Sequence, residues 1–208
     1  MYIPKINSWN DNREILEFMR RFSFATIVTG RNGMPVATHL PFLVSKVEDS
    51  IILYSHFARA NDHWQALGEQ TSLVIFSEPH AYISPSHYEK ELNVPTWNYL
   101  AVHAYGKATL INDTGKLMEL LDNTIDNFEA AYGKQWSSLP DQYRMNMIKG
   151  IVGFSMVVTE LQAKKKISQN RSEGEKEKIV HSLAKSEDTN AKLISEYMKE
   201  GSNHNSSG

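Results

Sequence analysis

The clearest alternation of apolar and polar residues in this chain covers residues 94–105, VPTWNYLAVHAY. Read with a period of two, this stretch predicts a β-strand with two different faces. One face is mostly apolar and is expected in the core: Asn98, Leu100, Val102 and Ala104. The other face is dominated by rings with polar tips: Trp97, Tyr99, Ala101, His103 and Tyr105. Such a strand packs on the core with one face and contacts something else with the other. The pattern does not decide whether that is a flat ligand, a partner subunit or a covering helix.

Before this strand, the pattern predicts one helix and then a meander of strands. Asp11 or Asn12 can cap the helix. Strands are expected at 22–29, 36–44, 50–54, 73–76 and 81–84. Asn32-Gly33 predicts a hairpin between the first two strands, because both residues tolerate a positive φ. Pro41 has no backbone donor, which places its strand at an edge or a bulge.

Residues 55–61 predict a loop, followed by a short helix that Gly68 ends. Gly106 is expected to bend the strand of 94–105 before it continues through 107–111. Two helices follow, the first over 113–132 with Gly133 as its stop, and the second starting at 137–140. Residues 150–161 predict the last long strand. Strands in this order favour an antiparallel barrel with appended helices over a βαβ alternation.

Beyond residue 161 the composition changes, and a basic triplet, Lys164 to Lys166, precedes two short helices at 173–183 and 189–199. The predicted organisation is a barrel domain over 1–170, a helical appendage over 171–200 packed on the barrel or on a partner, and a disordered polar tail over 201–208.

Composition narrows the class of protein without naming a function. The chain has 208 residues, of which 41% are hydrophobic and 22% charged, and its net charge is −2. That charge gives no basic footprint for nucleic acid or for a membrane surface. Cysteine is absent, which is typical of a cytoplasmic protein. We find no signal peptide and no apolar run long enough to span a bilayer.

The best candidate for chemistry follows the strand of 50–54. Ser55, His56, Arg59 and Asn61 run into a helix N-terminus, where hydroxyl, guanidinium and amide donors can converge on a phosphate. The alternative is an ordinary helix cap beside a solvated arginine. A second polar cluster surrounds Ser168-Gln169-Asn170, between Lys166 and Arg171. The alternative to a binding role for this cluster is a solvated run of charges before a helix. With the aromatic strand and His39, these features point to a phosphorylated planar heterocycle.

Other chemistries are poorly supported by the motifs. The eight histidines include no HExxH and no close His-x-His pair, so no metal site is expected. The chain has no G-x-S-x-G nucleophile motif, no P-loop and no G-x-G-x-x-G fingerprint. No residue stands out as a general acid or base, and His39 and His103 are candidates only because imidazole is the side chain suited to that role near neutral pH.

Five segments resemble one family, and they occur in this order: ATHLPFLV, HFARANDHW, VIFSEPHAYISPSHY, VPTWNYLAVHAYG and KISQNRS. Together they closely resemble the PaiB family of FMN-binding negative transcriptional regulators. That family is similar to the flavin-binding split barrels of the pyridoxamine-phosphate oxidase type. The resemblance runs from Met1 to the helices that end near Lys199. It implies a mainly β fold with helices, namely a six-stranded, Greek-key-like split β-barrel with peripheral helices and a C-terminal helical pair.

The resemblance also implies a homodimer with FMN at the subunit interface, and a link to repression of sporulation and degradative-enzyme genes. It places the phosphate on Ser55, His56, Arg59 and Asn61, and the isoalloxazine ring along Thr38, His39, Leu40 and Pro41. The partner subunit would bring Trp97 and Tyr99, and Gln169 and Arg171 would close the site. The chain departs from the oxidase pattern at Ala60, where that pattern leads us to expect a lysine beside the arginine.

Three interpretations of the function remain open at this stage. The first is an FMN-binding regulator, for which the sequence does not decide whether it is also an FMN-dependent oxidoreductase. The second is a DNA-binding protein that reads DNA with its C-terminal helices, which their many glutamates disfavour. The third is binding of another planar ligand such as haem, with His39, His56 or His63 on the iron, or a cofactor-free regulatory scaffold. The sequence leaves open whether the purified chain retains FMN.

Overall fold

The computed structural model describes residues 1–204. Its strands are β1 (Phe24–Arg31), β2 (Met34–Pro41), β3 (Leu43–Val47), β4 (Ser50–Ala58), β5 (Ser72–Phe76), β6 (His80–Ile83), β7 (Thr96–Ile111) and β8 (Ile151–Lys166). Its α-helices are α1 (Asn12–Arg21), α2 (Thr114–Glu129), α3 (Gly133–Ser138), α4 (Asp141–Lys149), α5 (Glu173–Ala184) and α6 (Thr189–His204). Short 3₁₀ helices include Asp62–Ala66 and Ala130–Tyr132. None of the helices within 1–204 is long and apolar enough to cross a membrane.

The strands form one sheet in the order β2-β1-β5-β7-β8-β4-β3, and β6 pairs with β7 beside this path. The pairings of β1 with β2 and β5, of β4 with β3 and β8, and of β6 with β7 are all antiparallel. The antiparallel pairing predicted from the sequence is therefore confirmed, but the simple meander is wrong, because β1 also pairs with β5 and β4 with β8. The described part of the chain has eight strands where the resemblance implies six.

The first hairpin forms as its sequence predicts, with Asn32 and Gly33 at φ values of 51° and 78°. The single return strand predicted over 36–44 is wrong, because the chain forms two strands separated by Phe42. The backbone N–H of Phe42 donates to the carbonyl oxygen of Ser23 at 2.8 Å, outside the β1–β2 ladder. The edge position predicted from Pro41 is confirmed, since β2 lies at one end of the sheet.

Contacts divide the chain into two compact units. Unit 1 comprises Met1–Ile15, Ser77–Val102 and the residues from Gln162 onward, and unit 2 comprises Leu16–Phe76 and His103–Leu161. The core of unit 2 contains five fully buried phenylalanines: Phe18, Phe42, Phe57, Phe76 and Phe154. Phe154 contacts both Phe57 and Phe42, with ring centroids 5.2 and 6.1 Å apart. Burying rings of this size contributes a large share of the stability of a small core.

The core of unit 1 is built from β6, the first half of β7 and the pair of helices α5 and α6. The predicted core face of β7 is confirmed, because Asn98, Leu100, Val102 and Ala104 are all buried. Asn98 is the polar member of that face, and its amide nitrogen donates to the Ser168 hydroxyl at 3.0 Å. The two C-terminal helices begin where the sequence predicts them. Helix α6 continues through His204, past the predicted end at 199, and the rest of the predicted tail, 205–208, lies outside the described residues.

Three other expectations are corrected by the structure. Residues 55–58 continue β4 and are not loop, because they pair with 151–154 of β8. Gly133 starts α3 after the 3₁₀ helix Ala130–Tyr132, and it does not stop the helical region. Strand β8 runs to Lys166, so the basic triplet belongs to the strand. In β7, Gly106 is required for close approach: a Cβ there would lie 2.2 Å from the carbonyl oxygen of Val157.

Candidate functional site

A hydrogen-bonded network of three side chains lies at the C-terminal end of β4, in unit 2. Asn61 caps the 3₁₀ helix Asp62–Ala66 by accepting a hydrogen bond from the His63 backbone N–H. The Asn61 amide nitrogen donates to the Thr38 hydroxyl at 3.3 Å, and that hydroxyl lies 2.8 Å from Nδ1 of His63. We call Thr38, Asn61 and His63 the Thr38 network. It joins the middle of β2 to the turn that follows β4.

The imidazole of His63 is fully buried, and its ring centroid lies 5.1 Å from that of Phe57. Burial lowers the pKa of His63 and outweighs the opposing charge of Asp62, because the charged imidazolium loses its hydration. The second ring nitrogen, Nε2, is buried and has no hydrogen-bond partner among the described residues. His63 is therefore a neutral group with one unused polar atom, and it braces the turn that carries Asn61.

Arg59 follows β4 directly, and its exposed side chain is held by backbone carbonyl groups. Its Nε donates to the carbonyl oxygen of Lys149 at 2.7 Å, and its Nη2 donates to that of Ile151 at 2.8 Å. Its backbone N–H donates to the carbonyl oxygen of Gly150 at 2.8 Å. Within residues 1–204, Arg59 forms no ion pair with a carboxylate. The guanidinium is thus oriented, charged and accessible, which are the properties needed to bind an anion.

Ser55 and His56 lie on opposite faces of β4. The Ser55 hydroxyl is buried and donates to the carbonyl oxygen of Pro41 at 2.7 Å, so its proton is already used within the chain. His56 is half-buried, and burial lowers its pKa. A neutral His56 can still donate or accept one hydrogen bond, but it adds no positive charge for a phosphate.

Four residues of β2, at positions 38–41, are predicted to bind the ring, and two of them point outward. His39 is exposed, its Nδ1 lies 2.8 Å from the Thr26 hydroxyl, and its ring stacks on Phe24 with centroids 6.3 Å apart. Pro41 is half-buried on the same face. Leu40 is buried and Thr38 belongs to the Thr38 network, so these two side chains lie on the inner face.

The predicted residues of unit 1 fall into two places. Trp97 and Tyr99 lie on the outer face of β7, and Trp97 is 52% exposed. Arg171 lies against the Tyr88 ring, with its guanidinium carbon 3.6 Å from the centroid, and its Nη1 is 2.9 Å from the Asn93 side-chain oxygen. Gln169 accepts a hydrogen bond from the Ile167 N–H at 2.8 Å and donates to the Lys165 carbonyl oxygen. Gln169 and Arg171 therefore stabilise the conformation of the KISQNRS segment.

Eight of the twelve predicted residues lie in unit 2 and four in unit 1. The structure connects Thr38 to Asn61 and Ser55 to Pro41 by hydrogen bonds. Sequence reasoning did not predict that His63 joins Thr38, because the two residues belong to separate elements and no local pattern links them. A groove of about 790 Å³ in unit 2, between α2 and the strands β3 and β4, is lined by none of the twelve.

The donors at the end of β4 fit the phosphate of FMN in part. Arg59 offers a fixed positive charge, and Nη1 has no hydrogen-bond partner among the described residues. Asn61, two residues further along the chain, adds an amide that is bonded to the Thr38 hydroxyl, whereas the Ser55 proton is taken by the carbonyl oxygen of Pro41. Within 1–204, no group of three or more histidine, aspartate or glutamate side chains could hold a metal ion.

Comparisons with known proteins identify the family of this chain. Residues 1–160 match the model of the family described as "Putative FMN-binding domain". The Bacillus subtilis protein named "Protease synthase and sporulation protein PAI 2" is 40% identical over 203 residues, which are 96% of this chain and 97% of that protein.

Two solved structures share the fold. The flavocytochrome Anf3 from Azotobacter vinelandii has a TM-score of 0.62 at 20% identity, covering 79% of this chain and 72% of its own. The FAD and heme binding protein from Mycobacterium smegmatis has a TM-score of 0.59 at 17% identity, covering 77% and 73%. At these identities the likeness establishes the split-barrel fold. With the family match and the Bacillus relative, it follows that the chain belongs to the PaiB family of FMN-binding split-barrel proteins.

Proposed function

We propose that this protein binds FMN in a homodimer and acts in the cytoplasm as a negative regulator of sporulation and degradative-enzyme genes. The observation that carries the proposal is the exposed guanidinium of Arg59, which two backbone carbonyl groups orient and no carboxylate of the described chain neutralises. Membership of an FMN-binding family supplies the ligand, and the name of the Bacillus relative supplies the link to sporulation.

In this proposal the phosphate of FMN is held by Arg59 and Asn61, with Ser55 and His56 beside them. The ring lies along β2, against His39 and Pro41, with Thr38 and Leu40 behind that surface. Trp97 and Tyr99 of the partner subunit cover the ring, and Gln169 and Arg171 support the segment that closes the site. A bound FMN supplies electron and hydride transfer. This chain's own residues bind the phosphate, orient the ring and exclude water.

The route from flavin to gene expression does not require direct contact with DNA. Helices α5 and α6 carry acidic residues among their lysines, and Glu173 and Glu175 lie in the first turn of α5. Such a balance gives little attraction to phosphates. We therefore propose that repression passes through a partner or through flavin chemistry, and a salt-sensitive, sequence-specific gel shift by the pure protein would contradict this.

The test is a titration of the flavin-free protein with FMN and with riboflavin, followed by flavin fluorescence. We expect saturable binding of one FMN per chain and a dimer in analytical ultracentrifugation. Arg59→Gln should weaken FMN binding about tenfold or more, as loss of a charged hydrogen bond does. Riboflavin, which has no phosphate, should bind both proteins alike.

The matched control is Arg31→Gln, which removes the same charge from an arginine already paired with Asp62 at 2.7 Å. FMN affinity should stay within about twofold in this control. If wild-type protein binds no FMN, or if riboflavin loses as much affinity as FMN in Arg59→Gln, the proposed site is refuted.

A further inference from the structure

The last residues of β8 place two lysines on one face of unit 1. Lys164 and Lys166 are two residues apart on the strand, so their side chains leave the same side. The Lys164 ammonium lies 5.0 Å from the centroid of the Tyr99 ring and donates to the backbone oxygen of Tyr2 at 3.2 Å. The Lys166 ammonium donates to the Thr96 hydroxyl. We call Thr96, Tyr99, Lys164 and Lys166 the lysine face.

Neither ammonium of the lysine face pairs with a carboxylate in the part of the chain that the structure describes. Lys164 is only 7% exposed, and a buried ammonium without a counter-charge is destabilising unless other groups compensate it. Each ammonium has three donors, and each finds one acceptor among the described residues. Positive charge and unused donors therefore remain on this face.

Lys165, on the same strand, is a lysine whose charge is paired with a carboxylate. It points to the other face, where its ammonium pairs with Glu14 at 3.0 Å and lies 5.3 Å from the centroid of a Trp9 ring. Burial lowers the pKa of Lys166, and the charge of Lys164 acts in the same direction. An anion that bridges Lys164 and Lys166 would relieve both the missing counter-charge and their mutual repulsion.

Exposed aromatic rings continue the lysine face on the neighbouring strands. Trp97 is two residues from Tyr99 on β7, and it is 52% exposed. Tyr82 on β6 is 50% exposed, and its ring centroid lies 6.0 Å from that of Trp97. The ring of His80 lies 5.8 Å from Trp97. Large rings left in water beside unmatched cations are typical of a site for a ligand that has both a flat ring and a negative charge.

We propose that the lysine face and the Trp97–Tyr82 pair form a binding site for a small planar anion, meaning an aromatic ring that carries a phosphate or a carboxylate. The anionic group accepts hydrogen bonds from Lys164 and Lys166, and the ring packs on Trp97. This deepens the proposed function by naming the class of molecule that is presented to the flavin. It rests on that function for this role, while the binding itself stands on unit 1.

The experiment is isothermal titration calorimetry on the flavin-free full chain. AMP and benzoate are the probes for a phosphate and a carboxylate, and adenosine and benzamide are their uncharged counterparts. We expect at least one anion to bind about tenfold more tightly than its counterpart. Lys166→Gln keeps a donor for Thr96 but removes the charge, and it should weaken that anion about tenfold. Lys165→Gln, with the same change of charge, should stay within about twofold.

Four outcomes overturn the proposal: neither anion binds, charged and neutral probes bind alike, Lys165→Gln weakens binding as much as Lys166→Gln, or a short single-stranded oligonucleotide binds far more tightly than AMP. The proposed function also places Trp97 of the partner subunit against the flavin ring, so the titration is repeated with saturating FMN. Unchanged or tighter anion binding supports a ligand held beside the flavin, whereas displacement assigns the lysine face to the flavin itself and overturns the proposal as well. A protein that binds the anion but no FMN would keep this site and refute the proposed function. Lys166 is only half-buried, so its variant is expected to fold even if Lys164→Gln does not.

Discussion

The buried imidazole of His63 predicts a loss of stability at mildly acidic pH. Burial holds the pKa of His63 below its ordinary value of about 6.5 in the folded chain. The unfolded chain therefore binds a proton at His63 more readily than the folded chain does. The free energy of unfolding falls as the pH drops below about 6.5. If the folded form stays neutral, His63 contributes a loss of at most about 1.4 kcal/mol between pH 7.5 and pH 5.5.

The assay is urea unfolding at these two pH values for wild type and for His63→Gln. Burial also lowers the pKa values of His56 and His103, so the wild-type protein loses stability through all three groups. The variant is expected to be less stable at pH 7.5, because Thr38 loses its buried partner, but to lose less stability on acidification. The difference between the two losses isolates His63 from the other histidines.

The exposed His80 provides the control, since His80→Gln removes an imidazole from unit 1 without altering the buried network. The pH dependence of this control should match that of wild type. Equal losses on acidification for His63→Gln and wild type would refute the reasoning, because they would mean that His63 binds its proton equally well in the folded and unfolded chain.

Two further predictions concern the strands that carry the proposed sites. Gly106→Ala should cost about 3 kcal/mol of unfolding free energy, because its Cβ would lie 2.2 Å from the carbonyl oxygen of Val157. Gly33→Ala, which meets nothing within 4 Å and suffers only from its positive φ, should cost about 1 kcal/mol in the same urea titration, and similar costs would contradict the packing argument. Asn98→Ala and Ser168→Ala each leave a buried polar group unpaired, so a double-mutant cycle should give a coupling of about 1–2 kcal/mol, whereas additive costs would mean that the bond adds nothing.

Local chemistry made several features of the fold predictable. The Asn32-Gly33 turn forms because these residues accept positive φ values, and Asp11 caps α1 by accepting hydrogen bonds from Arg13 and Glu14. The two faces of β7 follow from the period-two pattern, since a strand buries alternate residues. None of these features depends on distant parts of the chain.

The extension of β4 and β8 was not predictable in this way. The polar residues Ser55 and His56 indicate a loop when considered alone, yet they pair with Phe154 and Gly153 of β8. Lys164–Lys166 likewise suggests a solvated run. Lys164 nevertheless forms a β-bridge with Ser8. In both cases pairing with a distant segment overrides the local preference. The contact between Thr38 and His63 has the same origin, because only the folded chain brings their elements together.

The same limit applies to the choice of site residues among the cations. From the sequence, Arg59 and Arg171 are both candidates, because each stands among polar residues in a family motif, and Arg59 is favoured only because a helix N-terminus follows it. The structure separates them, since Arg171 lies 3.9 Å from the Glu175 carboxylate and covers the Tyr88 ring, whereas Arg59 has only neutral carbonyl partners within the described chain.

A cation with a carboxylate and a ring already has the interactions that its burial requires, so its main effect is on stability. A cation held only by neutral groups keeps its charge available to a ligand. By this criterion, Arg59 in unit 2 and Lys164 with Lys166 in unit 1 are the positions where an anion gains most. The anionic groups of a flavin and of a small planar molecule would then be bound by different cations. Loss of Arg59 and loss of Lys166 should therefore weaken different ligands.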